Sequence, residues 1–261
     1  DISPTTTPFM STVGRTKAKN TKHEWQTDSL SAVDANNAQV EGADAVSPTL
    51  TSTTMNANWT QISDKVVQVS STDDVVDKAG RTTETAYQLA KASSELKRDM
   101  EKTILGNVIQ SNGTAGSAAR VLGSIQTWLL TNFVSEGTGG APAGPVGGNG
   151  TAVRTSAGSG NYGAFEEGKL KEAVKSCFEN GGNPTLLVVP PTQKQAVSAF
   201  TGIAAQRFQA PSDKQTTIVG AADVYMSDFG TLSVVPDRFM TADASPVAEQ
   251  ALVLDPTMAS I

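Results

Sequence analysis

An α+β fold is what three stretches of this 261-residue sequence predict. Residues 23–70 hold two segments, "KHEWQTDSL" and "NANWTQISDKVVQVS", that alternate as half-buried strands do. Residues 81–109 carry an uninterrupted amphipathic helical pattern with no proline. From residue 166 onward, short helical and strand patterns follow one another with glycine and proline between them.

Taken in order, residues 1–22 hold Pro4, Pro8 and Gly14 among threonines and lysines. Proline fixes its own φ and pushes its predecessor toward extended conformations, so an extended arm is expected. Its one apolar patch, Pro8–Phe9–Met10, is a candidate docking point. In the second alternating segment, Trp59, Gln61 and Ser63 fall on one side and Thr60, Ile62 and Asp64 on the other. Between the two segments lies a polar stretch rich in Ala, Asn, Asp and Ser, with too few large apolar residues for a core. Two strands joined in this way make a protruding β-ribbon. A lone two-stranded ribbon is at best marginally stable in water, so this one must rest on a neighbour.

"TDDVVDKAG" predicts a short helix stopped at Gly80, followed by a long one over about 82–110. Ala86, Leu89, Ala90, Ser93, Leu96, Met100, Ile104 and Val108 form one stripe along it. Lys91 with Glu95, and Lys97 with Glu101, are i,i+4 pairs of opposite charge, worth about 0.2–0.5 kcal/mol each. At about 1.5 Å per residue such a helix is roughly 40 Å long, a spine rather than a packing element. Residues 111–165 predict a short apolar helix or turn, "ARVLGSIQTWLLTNF", and then a glycine-rich segment.

The back half predicts a helix in "FEEGKLKEAVKSCFENGG", an apolar strand in "PTLLVVPP", and a helix capped by Thr192 and closed by Gly202. Two or three strands follow in "TTIVGAADVYMSDFGTLSVVPDRFM", and a last one in "QALVLDP". The expected core is Leu186, Leu187, Val188, Val189, Val197, Phe200, Val234, Val235, Leu252 and Leu254.

Composition narrows the function classes. The hydrophobic fraction of 38%, with 23 glycines added, approaches the usual apolar share of roughly 45–50%, so a core can form. Charged residues make only 18%, against a typical ~25%, and Thr, Ser, Asn and Gly replace them, as in long loops and arms. A net charge of −6 and no basic run longer than two residues argue against binding nucleic acid by phosphate neutralisation. One cysteine, Cys177, cannot form an intramolecular disulfide, which suits a reducing cytoplasm. No stretch approaches the ~18 apolar residues of a membrane span, and "DISPTTTPFM" lacks the features of a signal peptide. The opening Asp1 implies translated or processed residues upstream.

No catalytic, cofactor or metal site is predicted. His23 is the only histidine, and Glu24 beside it points to the opposite side of a strand, where it cannot orient the ring for a triad. His23 with distant Cys177 is no zinc signature. "GTGGAPAGPVGGNGT" lacks the Gly-Lys-Ser/Thr ending of a phosphate loop. "STDDVVD" lacks the order of a calcium loop, and its carboxylates suit the first turn of a helix. Nothing selects a glycosidase-type pair among 26 carboxylates. Cys177, beside Val174 and Phe178, is expected in a core.

"ISPTTTPFMSTVGRTKAKNTKHEWQTDSL", a polar loop, "DKAGR", "YQLAKASSELKRDMEKTIL" and a glycine-rich insertion together resemble tailed-bacteriophage major capsid proteins of the Johnson fold. More narrowly they resemble the group that starts "SPT-TPF…HEWQTDSL". The resemblance implies an N-terminal arm (1–22) along a neighbouring subunit and an extended β-ribbon loop (23–70) across it. It further implies a peripheral domain with a spine helix (71–165), an axial domain (166–250), and a return to the peripheral domain (251–261). It implies a non-catalytic shell subunit that forms pentamers and hexamers and encloses double-stranded DNA. Portal, scaffold or protease, and a cementing protein are the implied partners, and the virion, assembled in the host cytoplasm, the implied location. Phe9, Met10, His23, Trp25, Asp28 and Trp59 are the expected assembly contacts, with Trp25 a buried anchor at the ribbon's root. Some members of the fold weld subunits through a ribbon lysine. None lies between Lys22 and Lys65, so a non-covalent contact is expected. A nanocompartment shell of the same fold and an extracellular binding module or adhesin are the alternatives.

Overall fold

The computed structural model describes residues 5–45, 47, 50–76, 80, 83–129, 131–134, 150–151, 163–200, 223–240 and 250–261. In chain order its elements are helix α1 (Pro8–Thr12), strands β1 (Lys22–Thr27) and β2 (Thr54–Trp59), and helices α2 (Ser71–Val75) and α3 (Glu84–Leu105). Helix α4 (Glu167–Glu179), strand β3 (Leu186–Val189), helix α5 (Pro191–Ser198) and strands β4 (Val224–Ser227), β5 (Gly230–Pro236) and β6 (Leu252–Leu254) follow. Short 3₁₀ turns occupy Ile125–Trp128 and Pro256–Met258. The chain is mixed helix and sheet, as predicted.

β1 and β2 form a separate antiparallel pair, while the other four strands form one mixed sheet in the order β4-β5-β3-β6. β3 runs parallel to β5 and antiparallel to β6. Every residue of β3 is buried because both faces of the sheet are covered, which explains its unbroken apolar run. Alternation divides its side chains between two cores. Leu186 and Val188 join Leu252, Leu254 and Met240 against Ile104 and Leu105 of α3 and Phe9 and Val13 of the N-terminal segment. Leu187 and Val189 join Val234, Leu232 and Tyr225 against Leu170 and Val174 of α4 and Val197 and Phe200 around α5.

α4 shows how local sequence serves this packing. Leu170 and Val174 are i,i+4 and face inward, while Lys171–Glu167 (2.9 Å) and Lys175–Glu179 (3.5 Å) pair on the outer face. The helix ends where Gly181 takes φ +81°, which lets Gly182 N–H reach the Cys177 carbonyl at 2.9 Å. Of the ten expected core residues, nine are buried and Val235 is half-buried.

Several expectations are corrected. The second alternating segment pairs as a strand only to Trp59; residues 60–70 are not in a ladder, because alternation marks an extended chain and not its hydrogen-bond partner. α3 spans 22 residues, about 33 Å, because the chain turns at Gly106 and Val108 pairs instead with Ser124. The amino-terminal part of its predicted stripe is not buried: Ala86, Leu89, Ala90 and Ser93 are exposed, and burial begins near Glu101. Lys91–Glu95 pairs at 4.0 Å, but Lys97–Glu101 does not, because Glu101 turns into the interior. Thr192 lies inside the first turn of α5, whose Pro191 occupies the first helical position, where a missing N–H costs nothing. Cys177 is half-buried and its neighbour Phe178 is largely exposed against Phe229 at 4.9 Å. Gly202, the first of the expected strands after it, and most of the glycine-rich segment lie outside the described residues.

The N-terminal segment also differs from a free arm. Residues 8–12 form a helical turn, and the apolar patch docks on its own chain, with Phe9 and Val13 buried. Gly14 bridges Ser260 in parallel, and Thr16 N–H donates to the Ile261 carbonyl at 2.8 Å.

Candidate interaction surface

The β1–β2 register sets the two faces of the ribbon. Trp25 opposes Asn56 and His23 opposes Asn58, so these four share a face; Lys22, Glu24, Ala57 and Trp59 share the other. The first face rests on the segment 121–128. Asn58 makes a two-way amide contact with Gly123, accepting its N–H at 3.0 Å and donating to its carbonyl at 3.3 Å. The Trp25 ring lies 5.1 Å from Trp128, a tilted pair of the kind worth about 0.5–1.5 kcal/mol beyond the area it buries. Gln61 extends the seam by accepting Leu122 N–H at 3.2 Å.

Behind Trp128 sits Gly150. Its φ is +77°, a Cβ there would fall 2.8 Å from the indole Cζ2, and its carbonyl accepts Gln110 N–H at 2.8 Å. Only glycine lets the backbone pass so close to the ring. The root of the ribbon is therefore fixed on both sides of one tryptophan.

Beyond the root the support ends. Residues 28–53 have no regular secondary structure where described, and Leu30 (99% exposed), Val33 (101%), Val40 and Leu50 stand in solvent. The exposed face of the ribbon carries an ion pair, Lys22 Nζ–Glu24 Oε1 at 2.6 Å, with the same ammonium 5.9 Å from the Trp59 ring centroid. The amino-terminal part of α3 adds Leu89 and the partly exposed Tyr87 to the apolar surface. A hollow of about 530 Å³ lies beside it, between residues 65–70 and Glu84, Gln88, Ala92 and Glu95.

The structure sorts the expected contacts into three groups. His23, Trp25 and Trp59 meet at the ribbon root: His23 is exposed with its ring 5.8 Å from Trp25, and Trp25 and Trp59 are half-buried rather than fully buried. Asp28 is exposed past the end of β1 and accepts the N–H of Ser29 at 2.9 Å. Phe9 and Met10 lie elsewhere, on the carboxyl-terminal part of α3; Phe9 is buried in its own core and presents nothing outward. Sequence reasoning missed Trp128, Gly123 and Asn58. A lone tryptophan in "SIQTWLL" was the one available signal, and no local pattern ties it to Trp25 about a hundred residues earlier.

Among the described residues no group of three or more His, Cys, Asp or Glu side chains could hold a metal ion, and no helix is long and apolar enough to cross a membrane. Burial pushes the Cys177 thiol upward, which disfavours the thiolate. The Tyr225 hydroxyl, pushed up to about 12 by burial and then by Glu167, donates to that carboxylate at 3.2 Å and serves packing.

A sheet whose central strand is covered on both faces, together with a ribbon loop whose aliphatic side chains have no cover among the described residues, points to a structural protein with a surface for other molecules. The chain belongs to the SU10 major capsid protein family, whose model matches residues 1–261. It is similar to the major capsid protein of Escherichia phage Phieco32, at 45% identity over 104 residues, which make up 40% of this chain and 30% of that protein. The matched stretch thus spans under a third of the relative's length.

Proposed function

We infer that this chain is a structural subunit of an icosahedral bacteriophage head, which builds by self-assembly the shell around double-stranded DNA and carries out no catalysis. The observation that carries the reading is the exposure of Leu30, Val33, Val40 and Leu50 in the loop beyond a ribbon that, among the described residues, is anchored at its root. Four fully or largely exposed aliphatic side chains in a chain of net charge −6 need a partner surface, and the family membership makes a second copy of this chain the partner. Acidity suits an inner wall that encloses DNA without gripping it. The family leaves the nanocompartment and the extracellular binding module without support.

Within this reading the chain has the Johnson fold. Residues 1–22 are the N-terminal arm, 23–70 the extended loop, 71–165 the peripheral domain built on α3, 166–250 the axial domain around five-fold and six-fold axes, and 251–261 the return. The two-stranded ladder, the 22-residue helix and the sheathed mixed sheet support that division. His23, Trp25, Asp28 and Trp59 serve assembly by setting the angle at which the loop leaves the root, and Met10 by the arm. Phe9 serves it only if the arm leaves its own core. The contact at the ribbon is non-covalent, since residues 23–64 hold no lysine. Portal, scaffold or protease, and a cementing protein are its partners; the host cytoplasm is where it assembles, and the virion is where it ends.

Negative-stain electron microscopy with size-exclusion chromatography tests the reading on the protein expressed alone and with its scaffold. Closed shells, capsomers or tubes are expected. A 27.1 kDa monomer under both conditions would contradict it.

A further inference from the structure

Two carboxyl groups are buried together where three parts of the chain meet. Glu101 and Asp237 are each 0% exposed. Glu101, near the end of α3, accepts the N–H of Phe9 at Oε1 (2.7 Å) and of Met10 at Oε2 (2.9 Å). These are free amides of the first turn of α1, whose own capping residue, Thr7, supplies no side-chain bond. Glu101 thus caps α1 from another helix. Asp237, just past β5, accepts Phe239 N–H at Oδ1 (2.6 Å), but its Oδ2 is buried with no donor opposite it. The neighbour of Asp237 is the Glu101 carboxyl itself. Two carboxylates face to face have only acceptors, so a hydrogen bond between them requires a proton.

Among the described residues neither carboxyl forms an ion pair. Residues 5–14 of the arm carry no charge, and β3 and β6 present Leu186, Val188, Leu252 and Leu254. The segment 122–129 contributes Gln126, which is neutral and donates to the Leu105 carbonyl. On α3, Lys97 and Lys102 face solvent, and the Arg98 guanidinium lies 5.7 Å over the Phe239 ring with its Nε unbonded. Arg238, beside Asp237, is exposed.

We propose that Glu101, buried against Asp237, forms a proton-operated latch, which holds the N-terminal arm on its own core while the Glu101 carboxyl keeps a proton and loosens it when that proton leaves. Burial first, and then Asp237, push Glu101 up to about 7 against the pull of the two amides. Its ordinary value is 4.5, so the latch's contribution is fully present below about 4.5 and lost as pH rises through about 7. The loosening has a direction: α1 lies on the Glu101 carboxyl, so lifting the arm is the way water reaches it once ionised. Phe9, Val13 and the Gly14–Ser260 bridge keep part of the hold at any pH. The latch itself does not depend on the shell reading; what it would release, an arm able to reach a neighbouring subunit, does.

The test is hydrogen exchange of the unassembled full-length chain between pH 5.5 and 8.5, corrected for intrinsic rates. Wild-type amides of Phe9, Met10 and Val13 are expected to lose protection about tenfold or more, with the loss complete near pH 7, since between 4.5 and about 7 each pH unit weakens the proton-linked hold up to tenfold and above it the hold no longer changes. In Glu101→Gln the protection should not vary with pH, and Asp237→Asn, which removes the second charge and adds a donor, should keep the arm protected at pH 8.5. Constant wild-type protection across the range overturns the latch, as does a parallel loss in Asp237→Asn. Both readouts stand even if Glu101→Gln fails to fold.

Discussion

The four-stranded sheet and the two-stranded ribbon are built from different strand patterns, an unbroken apolar run at the centre of one and a polar alternation in the other, and they end in opposite states. In the sheet, β3 has helices on both faces, all four of its residues are buried, and its neighbours are β5 and β6 of the same chain. In the ribbon, β1 and β2 have only each other, no residue is fully buried, and support comes from one tryptophan and one asparagine–glycine contact. The sheet finishes its own hydrophobic work. The ribbon leaves its share for another molecule. In an assembling subunit this division keeps the monomer folded without closing the surface through which copies join.

The contrast can be broken most strongly in the sheet. Leu187→Ala, at a position with no exposure, should cost about 2–5 kcal/mol in denaturant unfolding of the unassembled chain. At the ribbon root the effects should be smaller. Gly150→Ala forces a Cβ toward Trp128 in a left-handed conformation and should cost about 1–3 kcal/mol, with a change in tryptophan emission that Leu187→Ala does not produce. Asn58→Ala strips Gly123 of both bonds; at about 1–2 kcal/mol, the β1–β2 amides should exchange roughly 5–30-fold faster while the sheet amides keep their rates. Smallest of all on stability should be Leu30→Ser with Val33→Ser, within about 0.5 kcal/mol of wild type, because both side chains already stand in water. The same pair should abolish or slow assembly by light scattering. An unchanged assembly rate would mean that the loop's apolar residues are not contacts.

Much of this division was legible in the sequence, and what was not has physical causes. The core of the sheet could be read because β3 is apolar on both faces and α4 keeps one stripe, so burial leaves a local mark. The ribbon pairing could be read from alternation, but not its end at Trp59, since residues 60–70 alternate without a partner strand. Glu101 was misplaced because i,i+4 spacing from Lys97 offers a surface pair equally well; its inward turn depends on Phe9, Met10 and Asp237, 92, 91 and 136 positions away. The stripe on α3 is buried only toward its carboxyl end; Ala86, Leu89, Ala90 and Ser93 are exposed, because periodicity marks a helix face but not what packs on it. Trp25 is half-buried where the sequence led one to expect a buried anchor, and Trp128, which packs on it, is joined to it only through the fold.

The most direct measurement is hydrogen exchange across residues 28–53 in the unassembled chain and again in assembled particles. The account predicts near-intrinsic exchange in the free chain and more than tenfold protection at Leu30, Val33, Val40 and Leu50 in the particle, with the β3 amides slow in both. Equal, rapid exchange of the loop in both states would contradict the claim that a second copy covers it.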